Sequence, residues 1–217
     1  MTRISALLLC LCWAAQAPAQ QPSSPAQVWD RRYASQEYIY GKEPAEFLKT
    51  QIARLGKGKA LCLAAGEGRN EVFLAQQGFE VVAVDFSARG LEKCQALAAE
   101  RGVQVQTVVA DLNTWDLGQA QYDLITDFYH YQPDLFPKII AALKPGGLFI
   151  MQNFSLDQPA ANRFGPRDPA HLAKPAEVLG AFAGCRIRYY EDTVVQLDEG
   201  MHQGAGALIR LIAEKPR

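Results

Sequence analysis

The sequence predicts an α/β fold: a doubly wound, mostly parallel sheet of seven strands with an antiparallel hairpin at its C-terminal edge. Three observations predict it. Apolar runs of five to eight residues alternate with helical patterns from residue 59 to 154, which describes βαβ units buried on both faces. Glycines punctuate the ends of successive elements. From residue 185 onward two strand patterns follow each other with no room for a helix between them, as an antiparallel edge pair requires.

The elements follow in order. Residues 26–54 read as helix in two pieces, interrupted around Gly41 and Pro44. Residues 59–65 (KALCLAA) read as a buried strand and 69–77 as a helix stopped by Gly78. A strand at 79–86 precedes a helix at 88–102 whose apolar face carries Leu91, Cys94 and Leu97. Strands at 103–110 and 122–129 come next. A helix at 134–144 ends on PGG, and a strand covers 148–154. The closing pair spans 185–197 and 206–215. No internal repeat is visible.

The 217-residue chain suits one domain with a core of its own. Hydrophobic residues make up 49 %, charged residues 21 %, and the net charge is −1. That balance gives no sign of nucleic acid, and the partner expected is a small-molecule substrate. Residues 1–19 have the form of a signal peptide: Arg3, the apolar stretch 4–15, and a small-x-small site at 17–19. Residues 20–27 then read as a spacer and 28–217 as the domain, with a helical lid at 28–54. The leader implies export to the periplasm with no stable membrane association after cleavage. Outside the leader, Cys62, Cys94 and Cys185 are widely spaced and form no metal-ligand or CxxC pattern, so they read as idle thiols and no metal is expected.

In an open α/β sheet the ligand crevice lies at the carboxyl ends of the strands. Gly66 and Gly68 stand at that end of the first strand, and small residues there let a ligand approach the backbone. The helix that follows offers free N–H groups to an anionic tail. Asp85 ends the second strand, 17 residues after Gly68, where a carboxylate accepts from both hydroxyls of a ribose. Asp111 adds a second acid past the third strand. A nicotinamide dinucleotide would need a third glycine where Glu71 stands.

The glycine turn, Asp85, DLN (111–113), YDLI (122–125) and LKPGGLFIM (143–151), in that order, resemble the class I S-adenosylmethionine-dependent methyltransferases over residues 59–154. GEGRN with VFLAQQGFEV and VVADLN, and the leading WDRRYA and YGKEP, are similar to the tellurite-resistance and thiopurine methyltransferase-like branch. The resemblance implies a Rossmann-like methyltransferase fold and S-adenosylmethionine as cofactor. It implies that Gly66, Glu67 and Gly68 line the methionine portion, with Arg69 and Asn70 opening the helix beside it. Asp85 would hold the ribose, Phe86 would lie on the adenine, and Asp111 and Leu112 would flank it. Asp127 and Phe128 would face the transferring methyl, and Trp29, Tyr33, Tyr40 and Gly41 would belong to the lid. Two departures stand out: Cys62 replaces the usual acid of the first strand, and Ala64 replaces the first glycine of the turn.

Methyl transfer from a sulfonium expels a neutral group, so alignment and water exclusion do most of the work. His130 is the candidate base near neutrality, beside Asp127, Tyr129 and Tyr131. His202 reads as a turn residue unless its hairpin folds back over the rim, and Arg32 as a solvated charge or an attractor of anions. Two functions fit. One is a methyltransferase acting on a small soft nucleophile, a thiol or a chalcogen oxyanion. The other is an exported, non-catalytic nucleoside-binding domain on the same scaffold. A leader sits awkwardly with a cytosolic cofactor. An unseen supply route, a leader that does not act, and loss of the transfer reaction all stand open.

Overall fold

The computed structural model describes residues 24–161 and 164–217. The leader read at 1–19 lies outside the described residues. Among those described, no helix is long and apolar enough to cross a membrane.

The chain opens with α1 (Pro25–Arg32) and α2 (Glu46–Gln51). Then come β1 (Lys59–Leu63), α3 (Arg69–Gln76), β2 (Glu80–Asp85), α4 (Ala88–Glu100), β3 (Gln106–Val109) and β4 (Tyr122–Phe128). After these follow α5 (Phe136–Ala142), β5 (Leu143–Phe154), α6 (Gln158–Ala161), α7 (Pro175–Ala181), β6 (Arg186–Glu199) and β7 (His202–Glu214). The strands form one seven-stranded sheet in the order β3-β2-β1-β4-β5-β7-β6. The first five strands in that order are parallel, and β7 runs antiparallel to both β5 and β6. The expected fold is therefore the observed one.

Elements differ from expectation where local chemistry decides. Helix α1 starts at Pro25, inside the stretch read as spacer, because Ser24 and Gln27 form a capping box and Pro25 suits the first turn. It stops at Arg32, so the lid runs as turns from Tyr33 to Ala45 rather than as helix. The helix expected to end on PGG ends earlier, at Ala142. The backbone of Gly146 and Gly147 instead pairs with Lys215, and a register shift between Tyr122 and Leu124 absorbs the extra residues. Strand β3 is shorter than expected, since it is an edge with Val109 60 % exposed. The sequence left 155–184 unassigned, and two short helices lie there, α6 and α7.

Each sheet face has its own core. Under α5 and α7, Leu61, Leu63, Val84, Phe136, Phe149 and Phe182 pack together. Phe149 and Phe182 stack at 5.0 Å between centroids, a geometry worth about 0.5–1.5 kcal/mol beyond burial. Under α2 and α3, Phe47, Leu48, Cys62, Leu74, Leu124 and Phe128 pack on the opposite face. Helix α4 is capped by Ser87, whose Oγ accepts from Gly90 N, and it buries Leu91, Cys94 and Leu97 as its spacing predicts.

Candidate active site

The carboxyl end of β1 turns sharply. Ala64 has φ 50°, Gly66 φ 55° and Gly68 φ 89°. An alanine thus holds a left-handed conformation that normally favours glycine, at a cost of roughly 1–2 kcal/mol. The replacement that set this sequence apart keeps the turn's shape. Gly68 has no freedom to change: a Cβ there would collide with Cys94 Sγ. Across the turn, Asp85 is 7 % exposed and binds both neighbouring loops. Its Oδ2 accepts from Gly66 N at 2.8 Å and its Oδ1 from Ser87 N at 2.7 Å. Burial raises its pKa, and these two N–H groups oppose the rise. Asp85 therefore ties the two strand ends together, while each oxygen keeps a lone pair for a further donor.

The lid closes over this turn. Trp29 packs against Tyr33 in a tilted arrangement at 5.4 Å between centroids. The Tyr33 hydroxyl lies 2.8 Å from where a Cβ of Gly66 would stand. Burial is the first cause that holds the Tyr33 phenol far above its usual pKa, with Asp85 next. Asp30 accepts from Ser87 Oγ at 2.6 Å, which fastens α1 to the start of α4.

Several residues expected to touch cofactor turn out to hold the lid. Glu67 is 4 % exposed. It meets Lys93 Nζ at 2.5 Å and accepts from Tyr40 N at 3.3 Å. Lys93 also donates to the carbonyls of Ser35 and Glu37. Asn70 Oδ1 accepts from Ala45 N at 2.9 Å and so sets the start of α2. Arg69 points away from the turn, to Tyr40 O at 3.1 Å and Glu199 Oε2 at 2.8 Å. These polar contacts satisfy the lid's backbone, and the side chains are spoken for.

The other expected residues separate. Gly41 lies on the lid with φ 76°, against the tip of the β6–β7 hairpin. Phe86 is half-buried beside Asp85. Asp111 is exposed, and its Oδ1 accepts from Asn113 N and Nδ2 in its own turn. Leu112 belongs to the core under α5 and Phe128 to the opposite core. Asp127 is 1 % exposed and stands 3.4 Å from His130 Nδ1. Burial pulls the His130 pKa down, but Asp127 and Asp85 more than offset it, so the net shift is upward. Tyr129 leaves this pair. With φ 62° it turns to the other side of the sheet end, where its hydroxyl donates to Glu199 at 2.8 Å and accepts from Gln152 at 2.6 Å.

On that side the hairpin folds back. Met201 N donates to Ile39 O at 2.9 Å, and a Cβ on Gly200 would collide with the Tyr40 backbone. His202 is thereby 8 % exposed and boxed by Tyr40, Tyr129, Phe154 and Phe164, at 4.3–5.9 Å between centroids. Burial, with the charges of Arg69 and Arg32, pushes its pKa down to about 3. It is neutral at any ordinary pH, and because the hairpin does fold back it is more than a turn residue. Glu199, Gln152 and Lys93 had no signal in the sequence. Only Gly200, at the hairpin tip, marked where a close approach would occur.

Residues 60–147 match the family described as Methyltransferase domain. That match covers 88 of the chain's 217 residues. The cofactor that such a domain implies is S-adenosylmethionine. The N-methyltransferase NodS of Bradyrhizobium japonicum, solved with S-adenosyl-L-homocysteine, shares the fold. Its TM-score is 0.65 at 15 % identity, covering 88 % of this chain and 98 % of NodS. TehB of Haemophilus influenzae matches with a TM-score of 0.66 at 15 % identity, covering 88 % of this chain and 66 % of TehB. A curated relative, Hemagglutinin 1 of Eikenella corrodens, is 27 % identical over 181 residues, or 78 % of this chain. The match spans 58 % of that relative's length.

Proposed function

We propose that this chain transfers the methyl group of S-adenosylmethionine to a small, soft, anionic nucleophile such as a thiolate or a chalcogen oxyanion. The observation that carries the cofactor half is Asp85. Its carboxylate is fixed by two backbone donors and keeps a free lone pair on each oxygen at the mouth of the glycine turn. When bound, the cofactor supplies an electrophilic methyl on a sulfonium. Gly66 and Gly68 would line its methionine portion, Asp85 its ribose, and Phe86 its adenine. Tyr33 covers Gly66, so it must turn aside to admit the cofactor and can then shut water out.

The charges around the rim support an anionic acceptor. Arg32 stacks over Trp29 at 4.8 Å and near Tyr40 at 5.8 Å, and among the described residues no carboxylate pairs with it. His130, with its raised pKa, serves better as a positive neighbour than as a base. His202, held neutral, gives the hairpin side an aromatic wall without charge. A thiolate needs no base to attack, which suits this set. Export through the leader at 1–19 belongs to the same proposal.

Methyl transfer measured against a panel of thiols and amines tests it. The proposal expects thiol turnover, and Arg32→Ala should raise KM for anionic thiols about tenfold with kcat little changed. Turnover of amines alone, or an unchanged KM, would overturn the acceptor class.

A further inference from the structure

Behind the glycine turn lies a buried carboxyl that the methyl-transfer reading leaves unused. Glu71, in the first turn of α3, is 4 % exposed. Cys62 of β1 is fully buried and sits in register with Thr126 of β4, itself 1 % exposed. Cys62 and Cys94 both lie close enough to Glu71 for its charge to raise their thiol pKa values, behind the effect of burial. The Cys94 sulfur of α4 lies against Gly68. Three elements and the turn itself thus meet around one acid. The acid missing from β1 at Cys62 has a counterpart one helix over.

We infer that Glu71 supplies from α3 the carboxyl that β1 lacks, and that it gives up its proton to solvent when the cationic cofactor settles on the glycine turn. This rests on the cofactor reading above. Glu71 acts through the turn and does not touch the cofactor, so it is a positioning residue. Burial pushes its pKa up to about 7, which leaves it poised between its two forms near neutrality. Every group facing it takes part. Arg69 on its own helix favours the charge, as does the Cys62 thiol of β1. Asp85 of β2 opposes it. Cys94 of α4 keeps its proton, its pKa raised by burial first and then by Glu71. A positive charge arriving beside the turn tips this balance toward the carboxylate. The proton leaves for the buffer, and no other bond changes.

Calorimetry of the full chain with S-adenosylmethionine, at pH 7 in two buffers of different ionisation enthalpy, reads the released proton directly. The wild type should release about half a proton more than Glu71→Gln, because a group with a pKa near 7 is half protonated there. Its affinity should tighten about tenfold more than that of Glu71→Gln between pH 6 and 8. The double variant Cys62→Asp with Glu71→Gln returns the carboxyl to β1 and should recover wild-type affinity at pH 8. Should the single variant fail to fold, infrared spectroscopy of the wild type replaces it: the protonated carboxyl band should shrink when cofactor is added at pH 6.5. Cofactor binding with equal proton release in both chains, or with an unmoved carboxyl band, overturns the inference and leaves the cofactor assignment standing. A wild type that does not bind S-adenosylmethionine overturns both.

Discussion

Two ionisable side chains are buried, one in α3 and one at the hairpin tip, and burial moves them in opposite directions. Beneath the glycine turn, Glu71 is pushed up to about 7 and keeps its proton well above the usual carboxyl range. Beneath the hairpin tip, His202 is pushed down to about 3 and loses its own. The cause is the same, since a low-dielectric surrounding favours whichever form is neutral. The partners differ. Glu71 lies near the Arg69 guanidinium, whose charge favours the carboxylate and partly offsets burial. His202 has a buried Nδ1 with no hydrogen-bond partner among the described residues, in a box of rings. The cofactor side can therefore answer an incoming charge, while the hairpin side is locked. Charge on the hairpin side is managed by a fixed pair, Arg69 with Glu199, whose side chains are 9 % and 8 % exposed.

The largest effect should come from breaking that pair. Glu199→Ala strands a buried guanidinium and removes the acceptor of Tyr129, so unfolding should become easier by about 3–5 kcal/mol. Hydrogen exchange should rise at the hairpin and at residues 39–41 and stay unchanged under the glycine turn. Equal loosening of both regions in denaturation and exchange would erase the contrast drawn between them.

A smaller effect separates the two sides by pH. The Glu71 pKa in the folded chain lies above its ordinary value of 4.5, so its stabilisation is present below that value and lost as pH rises through about 7. For His202 the folded pKa lies below 6.5, so its stabilisation is present above 6.5 and lost as pH falls toward 3. The alkaline limb should amount to at most about 3 kcal/mol and the acid limb to at most about 5 kcal/mol. In urea titrations across pH, Glu71→Gln should flatten only the alkaline limb and His202→Phe only the acid limb. A variant that flattens the wrong limb would show that the groups are misassigned.

Much of this was legible in the chain. The period of apolar runs placed the parallel strands, and Gly66, Gly68 and Asp85 marked the rim because turn geometry and strand ends are local properties. The hairpin edge was readable for the same reason. What could not be read were contacts set by distant segments. Glu67, Arg69 and Asn70 sit inside the recognisable motif, yet they bind the lid, and only the packed chain shows where lid backbone needs acceptors and donors. Glu199 is 130 residues from Arg69 in sequence, so no local pattern could join them. Ala64 looked like a defect and proved to keep the glycine-like φ. The Cys62 departure looked like lost support, while Glu71, read only as an obstacle to a dinucleotide, stands beside it.

Calorimetric titration of S-adenosylmethionine into wild-type and Asp85→Ala chains, each checked for intact fold by circular dichroism, tests the central claim most directly. The account predicts measurable binding to the wild type and a loss of about a hundredfold or more in the variant, as expected for two hydrogen bonds to a charged acceptor. Equal affinity in the two chains, or no binding to the wild type, would contradict it.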